Sequence, residues 1–177
     1  MRRSHVPWTI AVLAVFASFG WVYAQGGRSS GALTAQDYAD IHQLYSRYNQ
    51  GTDFGNAEMW LDVFVEDATF RPYANQDRRR GASATEFVGR EEMVEWRAGV
   101  FARRQPDYQY RHWNSSWVIT PTGDGGAEGR VYWLAFDPSA EELAISDTGY
   151  YEDLYVKTAD GWRIKERTAY SDLQPEN

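Results

Sequence analysis

The sequence predicts an α+β domain in which a curved, mainly antiparallel sheet wraps over helices packed on one face. Two observations support this prediction. Three apolar patterns with helical spacing come first in the chain, and four strand-like stretches follow them in succession. The last two strands are joined by Asp160-Gly161, a strong β-hairpin signal because both residues tolerate positive φ.

Residues 1–24 have the layout of a secretory signal peptide. Arg2 and Arg3 precede an apolar run of about 15 residues, and the stretch ends at Ala24 with a small-residue cleavage site. The alternative is an uncleaved membrane anchor, although the run is short for a spanning helix. Residues 25–32 are rich in Gly and Ser and are interpreted as a flexible linker. We therefore expect a periplasmic or secreted protein that meets a membrane only through an uncleaved leader.

Composition excludes several classes of function. The formal net charge is −7, and the leader holds two arginines and no acid, so its removal takes the charge to −9. Such an acidic chain argues against a nucleic-acid partner, which would need a basic surface. The chain has no cysteine, and only His42 and His112 lie beyond the leader. Disulfides, a thiol nucleophile and a thiolate metal site are excluded, and we expect no metal and no cofactor.

The three predicted helices have identifiable starts. Thr34 and Asp37 form a capping box for the first helix, which is expected to end at Gly51. Asn56 is the predicted cap of a second, shorter helix. A third helix is predicted over about residues 90–103.

The remaining segments are predicted as strands and loops. Residues 68–73 are predicted to form a short strand, and residues 74–88 a long polar loop that is either a lid or a disordered segment. The four consecutive strands are predicted over residues 108–120, 128–137, 147–158 and 161–171.

The strand predicted over residues 108–120 carries an unusual polar face. Strict alternation places Tyr110, His112, Asn114 and Ser116 on one face and Arg111, Trp113, Trp117 and Ile119 on the other. The first face holds the only histidine in the middle of a predicted strand. Polar groups on a covered face need a partner or a cavity. We therefore hypothesise that His112 faces a pocket and meets an acid from another part of the chain.

The region from Leu33 to Ser171 contains short motifs in a recognisable order. They are Tyr48–Asp53, Trp60, Phe64–Asp67, Gly89-Arg90, Arg111-His112 with Asn114, Gly149–Asp153, Gly161–Ile164 and Arg167. In this order and spacing they resemble the SnoaL-like group of the nuclear-transport-factor-2-like superfamily. That group includes scytalone dehydratase and the β subunits of ring-hydroxylating dioxygenases. We assign the SnoaL-like domain to residues 33–173.

The resemblance implies a cone-shaped α+β barrel that encloses a pocket and usually forms dimers. Enzymes of the superfamily commonly place an aspartate from the end of the first helix against a histidine from the sheet, and Asp53 and His112 fall on those positions. Scytalone dehydratase also uses a second histidine, and this chain has no match for it. Its particular dehydration mechanism is therefore not implied here.

An imidazole can take up or release a proton near neutral pH, since its reference pKa is about 6.5. An aspartate bonded to one ring nitrogen would leave the other free to act on a substrate. We hypothesise that His112 is the general acid/base and Asp53 its orienting partner, in a lyase, hydratase or isomerase acting on a small, largely apolar molecule. The alternative is that Asp53 caps the helix near Asn56 and His112 is a satisfied pocket histidine.

Several polar side chains could line the pocket and bind the substrate. These candidates are Tyr48, Tyr110, Asn114, Tyr132, Tyr151 and Asp153. For each tyrosine the alternative is ordinary aromatic core. Alternation places Tyr151, Asp153 and Tyr155 on one face of their strand, but it does not decide whether that face meets the pocket.

Three classes of function remain open at this stage. The first is the exported small-molecule enzyme, expected as a homodimer. The second is a non-catalytic ligand-binding or dimerisation module of the same fold. The third is a structural partner subunit of the dioxygenase β type, which the leader disfavours.

Overall fold

The computed structural model describes residues 31–72, 74–79, 81–105 and 107–172. The predicted leader, residues 25–30 of the linker and residue 173 lie outside these ranges. The elements in chain order are α1 (Ala35–Asp53), α2 (Ala57–Leu61), β1 (Phe64–Arg71), α3 (Ala74–Arg79), β2 (Phe87–Val88), α4 (Gly89–Ala102), β3 (His112–Pro121), β4 (Ala127–Phe136), β5 (Ile145–Thr158) and β6 (Gly161–Ser171). None of the helices in the described ranges is long and apolar enough to cross a membrane.

The start of α1 is fixed by the predicted capping box. The backbone N–H of Asp37 donates to Thr34 Oγ1 at 3.2 Å, and the backbone N–H of Thr34 donates to Asp37 Oδ2 at 2.8 Å. The Asp37 carboxylate also accepts from Lys157 Nζ at 2.6 Å and from Trp162 Nε1 at 2.9 Å. The bond from Lys157, with those from Thr34, holds the pKa of Asp37 well below its usual range. One carboxylate therefore caps α1 and ties it to the β5–β6 hairpin.

The six strands form one mixed sheet in the order β2-β1-β6-β5-β4-β3. Only β1 and β6 are parallel neighbours, and the other pairs are antiparallel. The curled sheet packs its inner face against α1, α2 and α4, and the core lies between them. Its most buried members include Ile41, Trp60, Met93, Val131 and Ile164. The predicted α+β class, with helices on one face of a mainly antiparallel sheet, is confirmed.

A β-bulge in β3 changes which side chains face inward. The pairing of β3 with β4 shifts register around Ser116, which has a φ of 53°. A bulge adds one residue to a strand and thereby reverses its alternation. Trp117 consequently turns inward, where its ring lies 4.4 Å from that of Tyr45 on α1. The prediction that Ser116 shares the face of His112 and that Trp117 opposes it is wrong, because it assumed unbroken alternation.

Two predicted boundaries also differ from the structure. Helix α1 runs through Gly51 to Asp53, so Gly51 does not end it. A Cβ at Gly51 would lie 2.7 Å from the backbone nitrogen of Trp60, and the glycine allows α2 to approach α1 closely. The segment 74–88, predicted as an unstructured loop, contains α3 and the short strand β2, which pairs with β1. Pairing with a distant strand, not local sequence, gives β2 its structure.

Candidate active site

Asp53 and His112 meet where the end of α1 packs on the start of β3. His112 Nδ1 lies 2.5 Å from Asp53 Oδ1, and the backbone N–H of His112 donates to Asp53 Oδ2 at 3.0 Å. Asp53 is 5% exposed, and the side chain of His112 is 22% exposed. The predicted contact between the two side chains is confirmed, and one carboxylate holds both the ring and the backbone of His112.

The end of α1 is held in place from the other side by Arg104. The guanidinium donates to the backbone carbonyls of Thr52 and Asp53, the latter at 2.6 Å. Gln109 Nε2 also donates to the Asp53 carbonyl, at 3.2 Å. A cation at the C-terminus of a helix opposes the negative end of the helix dipole and satisfies carbonyls that the helix leaves open. Asp53 is therefore positioned through both its backbone and its side chain.

His112 lines a cavity of about 440 Å³ between α1, α4 and the sheet. Small-molecule sites commonly have volumes in this range. Aromatic and aliphatic side chains form most of the wall, and the charged and polar members are three arginines, His112, Asp147, Thr52 and Ser171. The lining residues are Tyr48, Thr52, Phe70, Pro72, Trp96, Arg97, Val100, Phe101, Arg103, Arg104, Tyr110, His112, Trp133, Asp147, Tyr151, Ala169 and Ser171.

Three of the predicted substrate-binding tyrosines line this cavity together with His112. They are Tyr48, Tyr110 and Tyr151. Burial raises the pKa of the Tyr151 phenol well above its usual value, so the group stays protonated and can donate a hydrogen bond. The ring of Tyr151 stacks on that of Trp133 at 5.8 Å between centroids, which gives the sheet side of the cavity a flat aromatic wall.

Two other candidates lie away from the cavity. Asn114 lines a second depression of about 490 Å³ between α1 and β3, which Asp53 and His112 also line, and its Oδ1 accepts from Asn49 Nδ2 at 2.6 Å. Tyr132 is 53% exposed on the outer face of the sheet. Asn114 shares the face of His112, as alternation predicts, and Asn49 joins the two residues because its amide also donates to the His112 carbonyl at 3.2 Å. Tyr132 was included because alternation along a strand does not tell which face of a curled sheet is the inner one.

The third candidate outside the cavity, Asp153, belongs to a buried ion pair. Arg167 donates to its two carboxylate oxygens, from Nε at 2.9 Å and from Nη2 at 2.6 Å. The Tyr45 hydroxyl donates to Asp153 Oδ2, and the Tyr155 hydroxyl does so at 3.2 Å. Both side chains of the ion pair are completely buried. The Asp153 carboxylate is therefore fully engaged inside the domain and is not available to a ligand in the cavity.

Arg97 is a cavity residue that sequence reasoning missed. It lies on α4 and is 3% exposed, with its guanidinium carbon 4.6 Å from the centre of the Trp60 ring. A signal was present in the sequence, because Met93, Arg97 and Phe101 are four residues apart and share one helical face. A cation in an otherwise apolar stripe is unusual for a helix that packs on a core.

Across the described ranges, no group of three or more His, Asp or Glu side chains is arranged to hold a metal ion. The chemistry that the cavity's own residues can supply is proton transfer by His112 and hydrogen bonding by phenols and guanidinium groups.

Comparison with known proteins identifies the fold and the family. The sequence matches the SnoaL-like domain family over residues 33–168. The chain belongs to this family. Among known proteins, the SnoaL-like chain is similar to the small subunit of anthranilate 1,2-dioxygenase from Burkholderia cepacia, with 26% identity over 140 residues, 75% of this chain and 85% of that protein.

Solved structures extend the likeness to three dimensions. A protein of unknown function with a cystatin-like fold from Nostoc punctiforme superposes with a TM-score of 0.65 at 20% identity, over 81% of this chain and 97% of that one. The β subunit of a proposed aromatic-ring-hydroxylating dioxygenase from Novosphingobium aromaticivorans gives 0.64 at 18%, over 78% and 91%. The SnoaL-like domain thus has the α+β cone fold that the resemblance implied.

Proposed function

We propose that this SnoaL-like domain is a cofactor-independent enzyme of the lyase, hydratase or isomerase type. His112 is its general acid/base, and Asp53 is the positioning residue for the imidazole. The observation that supports this proposal best is the 2.5 Å contact between Asp53 Oδ1 and His112 Nδ1, made by a histidine that lines the cavity.

In this proposal the two ring nitrogens of His112 have different roles. An ionised carboxylate only accepts hydrogen bonds, so the hydrogen of the neutral ring lies on Nδ1 and the lone pair is on Nε2. Within the described residues Nε2 has no hydrogen-bond partner. Nε2 can therefore take a proton from a bound molecule and return it, while Asp53 stabilises the imidazolium that forms. Tyr48, Tyr110 and Tyr151 line the same cavity, and in this proposal their phenols bond a substrate oxygen on which charge develops.

A probe that needs only a positioned base tests this proposal without the natural substrate. We suggest 2-tetralone in deuterium oxide, with exchange of the protons next to its carbonyl followed by NMR. We expect the protein to accelerate exchange. The exchange rate with His112→Gln should be about 100-fold or more below that with the unaltered protein, because general acid–base catalysis contributes at least that much. Asp53→Asn should also slow exchange, because the amide no longer stabilises the imidazolium.

The matched control is His42→Gln, which removes an exposed histidine on α1 outside the cavity. Its exchange rate should equal that of the unaltered protein. Glutamine at position 112 can still bond Asp53, so His112→Gln separates loss of the base from loss of the contact. Equal acceleration by the unaltered protein and His112→Gln would rule out the acid/base role.

A second candidate function is a non-catalytic ligand-binding module. It is favoured by the 3.0 Å bond from the His112 backbone N–H to Asp53, which also fastens β3 to α1. In that case the pair serves the architecture and the cavity binds without reacting. The tetralone would then bind without accelerated exchange, and His112→Gln would leave its affinity unchanged.

We also propose that the domain is exported and assembles as a homodimer through the outer face of the sheet. Trp113 and Val118 on β3 and Tyr132 on β4 are 62%, 64% and 53% exposed, and exposed apolar groups of this size often mark an interface. Light scattering of the purified protein should give twice the chain mass. Intact mass of the exported protein should correspond to a chain that begins at Gln25. A monomeric mass would rule out the homodimer. An exported product that retains residues 1–24 would rule out cleavage of the leader.

A further inference from the structure

Arg97 is a buried cation without an anionic partner. In the described part of the chain no carboxylate forms an ion pair with it. Its only hydrogen bond there runs from Nη2 to the Thr52 hydroxyl, and its buried Nε has no partner. The side chain nevertheless lines the cavity. The guanidinium therefore has hydrogen-bonding capacity that the protein itself does not use.

Keeping such a charge inside a protein is unfavourable. Desolvation of an ion that lacks a counter-ion opposes folding, and this penalty persists unless something else offsets it. The rings of Trp60 and Phe101, 4.6 and 4.4 Å from the guanidinium carbon, offset part of it. Burial lowers the pKa of Arg97 to about 10, so the group still carries its charge at neutral pH. A cation in this situation gains free energy when an anion enters the cavity.

A second unused donor lines the same cavity from the sheet. The indole Nε1 of Trp133 is buried and has no hydrogen-bond partner in the described residues. A buried donor of this kind needs an acceptor. Among the described residues one carboxylate lines the cavity, that of Asp147, and its Oδ1 accepts from the Thr148 backbone N–H and from the Ser171 hydroxyl, both at 2.7 Å. Neither the indole nor Arg97 is bonded to this carboxylate. A ligand that carries an acceptor can therefore bond both donors.

The charges around the cavity are opposite in sign to those of the chain as a whole. The formal net charge of the chain is −7, yet the described residues that line the cavity include three arginines, Arg97, Arg103 and Arg104, and a single acid, Asp147. A concave site with such a local excess attracts anions even on an acidic protein. The remaining wall is apolar and offers flat rings, including Phe70, Trp96 and the Trp133–Tyr151 stack.

We propose that the ligand of this cavity is an aromatic carboxylic acid. Its carboxylate binds Arg97, and its ring lies against the aromatic wall. This proposal rests on the proposed function for the identity of the site and deepens it by naming the class of substrate. An aromatic acid satisfies the guanidinium and the indole and covers the apolar walls, whereas a purely apolar molecule would leave both donors unpaired.

Binding of a matched pair of probes tests this assignment without any turnover. The probes are 2-naphthoate and 2-naphthamide, which have the same ring and differ in charge, measured by isothermal titration calorimetry at pH 7.5. We expect the unaltered protein to bind the acid at least 10-fold more tightly than the amide. Arg97→Gln should lower the affinity for the acid by about 30-fold or more, which is the usual result of removing one member of a buried charge pair. The affinity for the amide should change little.

Controls separate this proposal from its alternatives. Arg130→Gln removes an exposed arginine of the outer sheet face and should bind both probes as the unaltered protein does. Inorganic phosphate alone should bind much more weakly than the acid, because it cannot use the aromatic wall. Circular dichroism and thermal melting establish that each variant is folded, and the comparison of acid with amide in the unaltered protein requires no variant at all.

The outcomes also distinguish this proposal from the acid/base proposal. His112→Gln should retain tight binding of 2-naphthoate, because the imidazole is not the anion site. Equal affinity for acid and amide in the unaltered protein, or an Arg97→Gln protein that still prefers the acid, would overturn the assignment. Neither result would affect the exchange experiment with 2-tetralone, which uses a neutral probe.

Discussion

Two arginines are buried in the described part of this domain, and their surroundings differ in one decisive respect. Arg167 is 0% exposed and has both oxygens of Asp153 as partners, with its guanidinium carbon between 4.3 and 4.6 Å from the centres of three tyrosine rings. Arg97 is 3% exposed and also lies over aromatic rings, but no carboxylate of the described residues forms an ion pair with it. One belongs to solid core, and the other lines a cavity.

The difference shows that burial alone does not assign a role to a charged residue. Each arginine has an unpaired buried nitrogen, Nη1 of Arg167 and Nε of Arg97. At Arg167 the counter-charge is built into the next strand, so the pair is complete without a ligand. At Arg97 the counter-charge is missing from the described structure and space is present beside it. Substitutions at the two sites should therefore have opposite consequences for stability and for binding.

The largest effect is expected for Arg167→Met. This change leaves the Asp153 carboxylate buried without its counter-ion, and breaking a buried pair in this way costs about 3–5 kcal/mol of unfolding free energy. Urea denaturation followed by tryptophan fluorescence measures it. A loss below about 1 kcal/mol would mean that the pair contributes no more than an exposed one, and the contrast with Arg97 would then disappear.

A smaller effect is expected when both members of the pair are replaced. Arg167→Met combined with Asp153→Leu removes the charges together and leaves no isolated ion, so much of the loss should be recovered. The hydroxyls of Tyr45 and Tyr155 still bond each other in this variant. The double variant should therefore be more stable than Arg167→Met by about 2 kcal/mol in the same urea assay. Strictly additive losses would show that the two side chains do not act as a pair.

The smallest effect on stability is expected for Arg97→Met. Methionine fills a similar volume and removes an unpaired buried charge, so the unfolding free energy should stay within about 1 kcal/mol of that of the unaltered protein. Binding of 2-naphthoate should nevertheless be lost. Arg167→Met serves as the control with the opposite pattern. Its unfolding free energy should fall, but the molecules that remain folded should still bind 2-naphthoate. A large destabilisation by Arg97→Met would assign Arg97 to the architecture.

Local sequence was sufficient for features that depend on neighbours along the chain. The capping box of Thr34 and Asp37, the cap at Asn56 and the Asp160-Gly161 turn were all predictable, because each uses residues within three positions of one another. The pairing of Asp53 with His112 spans 59 residues, and it was predicted from the family resemblance.

Other features depend on contacts between distant parts of the chain and could not be predicted from local sequence. The bulge at Ser116 contains no glycine that would have indicated it in the sequence, yet it turns Trp117 inward. Tyr132 and Tyr151 lie on adjacent strands with the same kind of alternation, and only the direction in which the sheet curls separates the exposed residue from the buried one. Asp153 resembled a site residue until its partner Arg167 was located on the next strand.

The sequence by itself determined the class of fold and the starts of α1 and α2, and the family resemblance added the acid and the imidazole that meet. Capping, periodicity and turn formation act over a few residues, so they leave a direct trace in the order of amino acids. Only the tertiary structure decided which polar groups line a cavity and which have all their partners inside the core. That distinction depends on whether the curled sheet brings a counter-charge to a buried ion, as it does for Arg167, or leaves space beside it, as it does for Arg97.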